Sequence, residues 1–239
     1  MDEERLVGGN DTEEVVRVGD TVRRTPGPRS DFVAEVLRHL ESVDYPYAPR
    51  HLGVDDRGRE VVSFVPGRTT DHPSQRAEGA YARAGTMLRR LHEVTAGHPL
   101  AGGLECVVHG DAGPCNTVFQ DGLPVAFIDW TTCAPGVALD DLGYLAWTWC
   151  VAAEGNVPVE EQAAHLRELR DGYGDVDPER LLDAVVRQQT RVVERETANL
   201  RDERLRPQRR AHAGKAVAWA ESDRAVVRRH HALLLSALR

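Results

Sequence analysis

Apolar residues alternate with polar ones in the first quarter of the chain, then recur at helical spacing through most of the rest. Val15-Val16-Arg17-Val18 runs into Gly19-Asp20, and Thr21-Val22-Arg23-Arg24 resumes beyond it, which predicts a hairpin. Pro26-Gly27-Pro28 stops the second strand. Ser30 is then placed to cap a helix whose apolar stripe is Val33, Val36, Leu37 and Leu40. A second hairpin is expected from His51-Leu52-Gly53-Val54, a turn at 55–58, and Glu60 to Val65, closed by Pro66-Gly67. From about Ser74 to Val94 one helical face carries Ala80, Ala84, Met87, Leu88 and Leu91. Short strands are expected over 105–108, 117–120 and 125–128, and helices over about 138–153, 159–172, 178–200 and 208–238. Strands first and helices later predict an α+β chain in two lobes, residues 1–67 and 68–239, with the boundary at Pro66-Gly67.

Composition narrows the class. No apolar run approaches the roughly 18 residues that cross a bilayer, and the acidic Met-Asp-Glu-Glu-Arg start has no apolar leader, so a cytoplasmic protein is expected. Cysteines 106, 115, 133 and 150 form no Cys-x-x-Cys pair, which points to reduced thiols and away from structural zinc. A net charge of −8 opposes a nucleic-acid binder, which needs a cationic face. Lys215 is the only lysine among 30 basic residues, so a mechanism that needs a cation in the first lobe must use arginine.

Residues 107–130 carry the chemistry. An apolar strand delivers His109-Gly110-Asp111 into a loop, Asn116 follows at the start of another strand, and a tight turn at Asp121-Gly122 returns a strand ending in Asp129. The ends of a hairpin lie side by side, so Asn116 and Asp129 should be neighbours with Asp111 facing them. An amide oxygen beside a carboxylate suits magnesium carrying phosphate. A further carboxylate can orient a hydroxyl and accept its proton.

This stretch resembles the catalytic and magnesium loops of the aminoglycoside phosphotransferase family, a branch of the protein-kinase-like fold. The residues that carry the likeness are His109-Gly110-Asp111, Pro114, Asn116 and Ile128-Asp129-Trp130, with Asp141-Leu142-Gly143 similar to the helix start that braces the loop. The match is strong over roughly 105–147 and loose over 5–67. It implies a small N-terminal sheet with one helix, a larger helical C-terminal lobe, Asp111 as catalytic base, and Asn116 and Asp129 as magnesium ligands. His109 and Pro114 would shape the loop. Arg23 matches the strand position of the usual phosphate-clamping lysine, with Arg24 as competitor, since alternation lets only one face the cleft. Glu35 is the candidate acid on the first helix by elimination, although it lies off the apolar stripe. Gly8-Gly9-Asn10 stands where a phosphate-covering turn belongs. Residues 62–67 resemble the hinge strand, whose backbone at Ser63 and Val65 would meet adenine.

Simpler readings hold for some of these residues. A histidine fixed by backbone hydrogen bonds accounts for His109 better than a second base does. Cys115 has no partner base in the sequence and reads as a packed small side chain. The expected function is an Mg-ATP-dependent O-phosphotransferase, GTP remaining open, that moves the γ-phosphate to a hydroxyl of a small molecule, an antibiotic or a metabolite. The alternative is a kinase-fold binding or immunity protein with little catalysis, which the missing lysine favours. Residues 151–239, with 15 acidic and 16 basic side chains, give no strong preference for a polycationic acceptor, although Glu154, Glu160 and Glu161 could form a local acidic cluster. The expected partner is therefore a hydroxylated small molecule, with neither nucleic acid nor membrane.

Overall fold

In a computed structural model of the protein, residues 3–6, 15–70 and 72–239 are described. The Gly8-Gly9-Asn10 turn lies outside them. Packing divides the chain into two compact units, one made of residues 1–76 with 90–136 and the other of 77–89 with 137–239. The Pro66-Gly67 lobe boundary is a different division, drawn from the sequence, and we retain it as a proposal.

The first unit is built on an antiparallel sheet of five strands: β1 (Glu4–Arg5), β2 (Val16–Val18), β3 (Thr21–Arg24), β4 (His51–Val54) and β5 (Glu60–Ser63), in the order β1-β2-β3-β5-β4. Both expected hairpins form. The register sets Val22 opposite Val62, Arg23 opposite Val61, and Arg24 opposite Glu60. Directly opposed residues share a face, so Val22, Arg24, Glu60 and Val62 lie on one side, and Arg23 with Val61 on the other. Helix α1 (Ser30–Ser42) packs against β4 and buries Val33, Ala34, Val36, Leu37 and Leu40, the expected stripe. Ser30 differs from expectation. It is the first helical residue, and its hydroxyl accepts the Gly27 N–H at 2.8 Å, so it closes the Pro26-Gly27-Pro28 turn and does not cap the helix.

Helix α2 (Ala80–Thr95) begins in the second unit and ends in the first. Its predicted face, Ala80, Ala84, Met87, Leu88 and Leu91, is wholly buried. Three strands follow: β6 (Cys106–Val108), β7 (Thr117–Gln120) and β8 (Leu123–Phe127). The β7–β8 hairpin turns through Asp121 and Gly122, both at positive φ (51° and 78°), as a two-residue primed turn requires. Strand β9 (Ala134–Gly136), which pairs with β6, was not among the expected elements. Gly136 is needed there, because a Cβ would sit 2.7 Å from Val108 Cγ1.

The second unit is helical: α3 (Ala138–Cys150), α4 (Val159–Tyr173), α5 (Pro178–Arg201), α6 (Pro207–Arg229) and α7 (His231–Leu238). α3 packs closely on α5, where a Cβ at Gly143 would lie 2.7 Å from the Ala184 backbone. The expected last helix is two helices. The break falls at His230 (φ −112°, ψ 19°), and α7 packs on α4 with an Arg170 guanidinium donating to the Leu238 carbonyl. Glu196 on α5 is buried. Burial alone would raise its pKa, yet hydrogen bonds from Arg209, Asn199 and Arg195 bring it down to about 2. No helix among the described residues is long and apolar enough to cross a membrane.

Candidate active site

His109, Asp111, Asn116 and Asp129, together with Arg23, Arg24 and Glu35, belong to the first unit, whereas Asp141 belongs to the second. After β6, His109 turns inward and is completely buried. Its Nδ1 accepts the Asp111 backbone N–H at 3.3 Å, which places the ring proton on Nε2, and that N–H donates to the Ile128 carbonyl at 3.2 Å. His109 therefore ties the Asp111 loop to the strand end that carries Asp129. Trp130, with ring centroids 4.6 Å away, and Phe127 enclose it, and the Trp130 indole N–H donates to the Phe127 carbonyl. Gly110 lies at φ +79°, and a Cβ there would approach the Thr132 carbonyl oxygen to 3.0 Å. The Thr132 hydroxyl in turn donates to the His109 carbonyl at 2.8 Å.

Asn116 closes a 3-10 turn over Pro114–Asn116, one residue before β7. Its Nδ2 donates to Asp111 Oδ2 at 2.8 Å and to the Asp111 carbonyl at 3.0 Å. With the NH2 group so engaged, the amide oxygen is the atom left to meet a cation. The Asn116 carbonyl accepts the Ile128 N–H at 2.8 Å, which brings the two hairpin ends together one residue short of Asp129. Asp129 itself has left-handed backbone (φ 56°, ψ 68°), a conformation that costs an L-residue roughly 1–2 kcal/mol and that aspartate tolerates better than most. The twist turns its carboxylate off the line of β8. Asp129 Oδ1 accepts the Thr131 hydroxyl at 2.8 Å and Arg24 Nη1 at 3.2 Å.

Arg24 and Arg23 are separated by strand alternation. Arg24 donates from Nε to Glu60 Oε2 at 2.7 Å and from Nη1 to Asp129, so one guanidinium joins the sheet to the carboxylate at the end of the β7–β8 hairpin. Arg23 reaches Asp55 Oδ2 at 3.3 Å instead. Asp55 is held near pKa 2 by hydrogen bonds from the Arg59 backbone and side chain and from the Arg57 backbone. Glu35 is exposed on α1, and among the described residues its side chain has no hydrogen bond or ion pair. Glu60 is the acid that sequence reasoning missed. Its signal was the pairing of two hairpins, in which the last residue of one strand faces the first of another, and that register is invisible to periodicity.

The segment expected to act as the hinge follows β5. The Ser63 N–H donates to the Arg50 carbonyl at 2.9 Å, and its hydroxyl accepts the Arg50 N–H at 2.8 Å. Val65 lies in the irregular stretch beyond, and among the described residues its backbone makes no hydrogen bond. Gly67 (φ +140°) passes so close to β7 that a Cβ would meet the Phe119 carbonyl oxygen at 2.5 Å. Arg68 and Phe119 exchange backbone hydrogen bonds of 3.1 and 2.8 Å, which fixes the segment to the β7–β8 hairpin.

Cys115 is exposed in the loop, and its thiol pKa is raised first by desolvation and then by the charge of Asp111, with Asp129 adding to it. Such a thiol is a poor nucleophile. Asn116 and Asp129 supply one neutral and one anionic hard oxygen, which fits magnesium that draws its remaining ligands from phosphate and water. Among the described residues no group of three or more His, Cys, Asp or Glu side chains forms a metal cluster.

Sheet, loop order and helical second unit define a kinase-like phosphotransferase class. Residues 98–182 match the phosphotransferase enzyme family. A trifolitoxin immunity protein from Rhizobium leguminosarum bv. trifolii is 37% identical over 196 residues, 72% of this chain and 74% of the relative. A choline/ethanolamine kinase family protein from Mesorhizobium loti superposes with a TM-score of 0.65 at 21% identity, over all of this chain and 92% of the other. The aminoglycoside phosphotransferase APH(2")-IIa, in complex with gentamicin, gives 0.65 at 13% identity, over 92% and 93%. The chain belongs to this phosphotransferase enzyme family, as the likeness of its motifs led one to expect.

Proposed function

We propose that the protein transfers the γ-phosphate of Mg-ATP to a hydroxyl of a small molecule. The supporting observation is the hydrogen bond from Asn116 Nδ2 to Asp111 Oδ2, in a loop that His109 ties to the Asp129 strand end. Asp111 orients the acceptor hydroxyl and takes its proton. Asn116 Oδ1 and Asp129 would hold magnesium, which when bound neutralises phosphate oxygens as charge moves between them. Val65 and the adjoining Ser63 backbone are proposed to receive the adenine. For the clamp we prefer Arg24 to Arg23, because Arg24 reaches Asp129 whereas Arg23 is paired with Asp55 on the opposite face. Arginine keeps its charge and offers two donors to phosphate, so it can replace the family's lysine. A relative named for immunity to trifolitoxin makes a toxic, hydroxyl-bearing compound a reasonable acceptor class.

Purified protein with Mg-ATP and a panel of hydroxylated antibiotics, toxins and sugars tests the reading. Phosphate should appear on one acceptor, and Asp111→Asn should slow its transfer about 10²- to 10⁴-fold. The same relative's name, together with the missing lysine, supports a second reading in which the protein protects by binding alone. Tight binding of a toxin with no phosphate transferred to it would decide for that reading.

A further inference from the structure

The family's clamping cation is expected to take its partner acid from the first helix, yet Glu35 is exposed and no partner reaches it among the described residues. The acid that Arg24 does meet is Glu60, directly across the sheet in register, 4% exposed, with Oε2 at 2.7 Å from Nε. We propose that Glu60 is the positioning residue of the phosphate clamp, so that the clamp is assembled within the sheet and owes nothing to α1. This rests on the phosphotransferase reading of the site.

Geometry carries the argument. A guanidinium held at Nε by one carboxylate has its Nη edge aimed in the opposite direction, here at Asp129 Oδ1, 3.2 Å away. Glu60 thus sets where the two Nη groups point, while Arg24 would touch the phosphates. It also accounts for arginine at this position. Two carboxylates on opposite sides of one cation are bridged by separate nitrogens of a planar fork, whereas an ammonium must serve both from a single atom. The backbones of Arg24 and Glu60 keep their spacing as long as the sheet does, since the two residues occupy adjacent strands in register. A helix-borne acid could swing away and disarm the clamp; this one is fixed.

The test compares Mg-ATP and adenosine binding by calorimetry on the full chain. Glu60→Gln is expected to weaken Mg-ATP about tenfold, the lower end of what losing a supporting partner costs, and to leave adenosine affinity unchanged. Equal loss for both ligands would mean that the sheet is merely damaged and would overturn the proposal. In an Arg24→Ala background, Glu60→Gln should cost nothing further, since it acts through Arg24; an undiminished additional loss would refute it, and this comparison holds even if the single variant loses thermal stability. Glu35→Gln should change neither affinity. A selective loss of Mg-ATP there, with Glu60→Gln unaffected, would return the role to the helix. If the wild type binds no Mg-ATP at all, the phosphotransferase reading fails; if it does and Glu60→Gln matches it, only the role of Glu60 fails.

Discussion

Asp223 offers the sharpest energetic prediction. It lies on α6, 2% exposed, with Oδ2 accepting the Trp147 indole N–H at 2.8 Å and Oδ1 accepting the Ala153 N–H at 2.7 Å. Burial pushes its pKa from 3.8 up to about 6, against the two hydrogen bonds and with help from the charge of Glu154. The folded state therefore keeps a proton that the unfolded chain gives up between about pH 4 and 6. Over that window the unfolded chain binds fewer protons, so stability falls as pH rises, and it stays level above 6. A displacement of roughly two pKa units at 1.36 kcal/mol each makes the loss about 3 kcal/mol. In Asp223→Asn this dependence disappears. Asparagine accepts only one of the two N–H groups, which costs about 1–3 kcal/mol at every pH. The variant should thus be less stable than wild type at pH 4 and should draw level or overtake it by pH 7. Urea unfolding of both proteins across pH 4–8, followed by tryptophan fluorescence, reads the difference directly. A wild-type-minus-variant difference that is flat with pH would refute the reasoning.

Four further outcomes are expected. Asp111→Asn keeps an oxygen to accept from Asn116, so its melting curve and nucleotide affinity should match wild type while turnover drops about 10²- to 10⁴-fold; Asp129→Ala should instead weaken Mg-ATP binding in a titration. Gly67→Ala forces a Cβ to within 2.5 Å of the Phe119 carbonyl at φ +140° and should cost about 2 kcal/mol or more in chemical denaturation. Glu196 has a depressed pKa, so its contribution is present above about pH 4.5 and is lost as pH falls toward 2; Glu196→Gln should remove that part of the acid sensitivity in paired thermal melts.

Chain order and periodicity determined a good deal of this protein unaided. The two N-terminal hairpins, the buried stripes of α1 and α2, the Asp121-Gly122 turn and the His109-to-Asp129 motif all depend on residues within a few positions of one another, and local spacing encodes such features. The tertiary structure decided the rest, because it turned on distant partners. Alternation showed that Arg23 and Arg24 face opposite ways, but only the β3–β5 register put Arg24 beside Glu60 and the closing of the β7–β8 hairpin brought Asp129 to it across 105 positions. The same holds for the pairing of β9 with β6 and for the break at His230, where neither glycine nor proline marks the chain and α7 packs on α4. A period names the face a side chain takes; what it meets there is set by whichever segment folds against it.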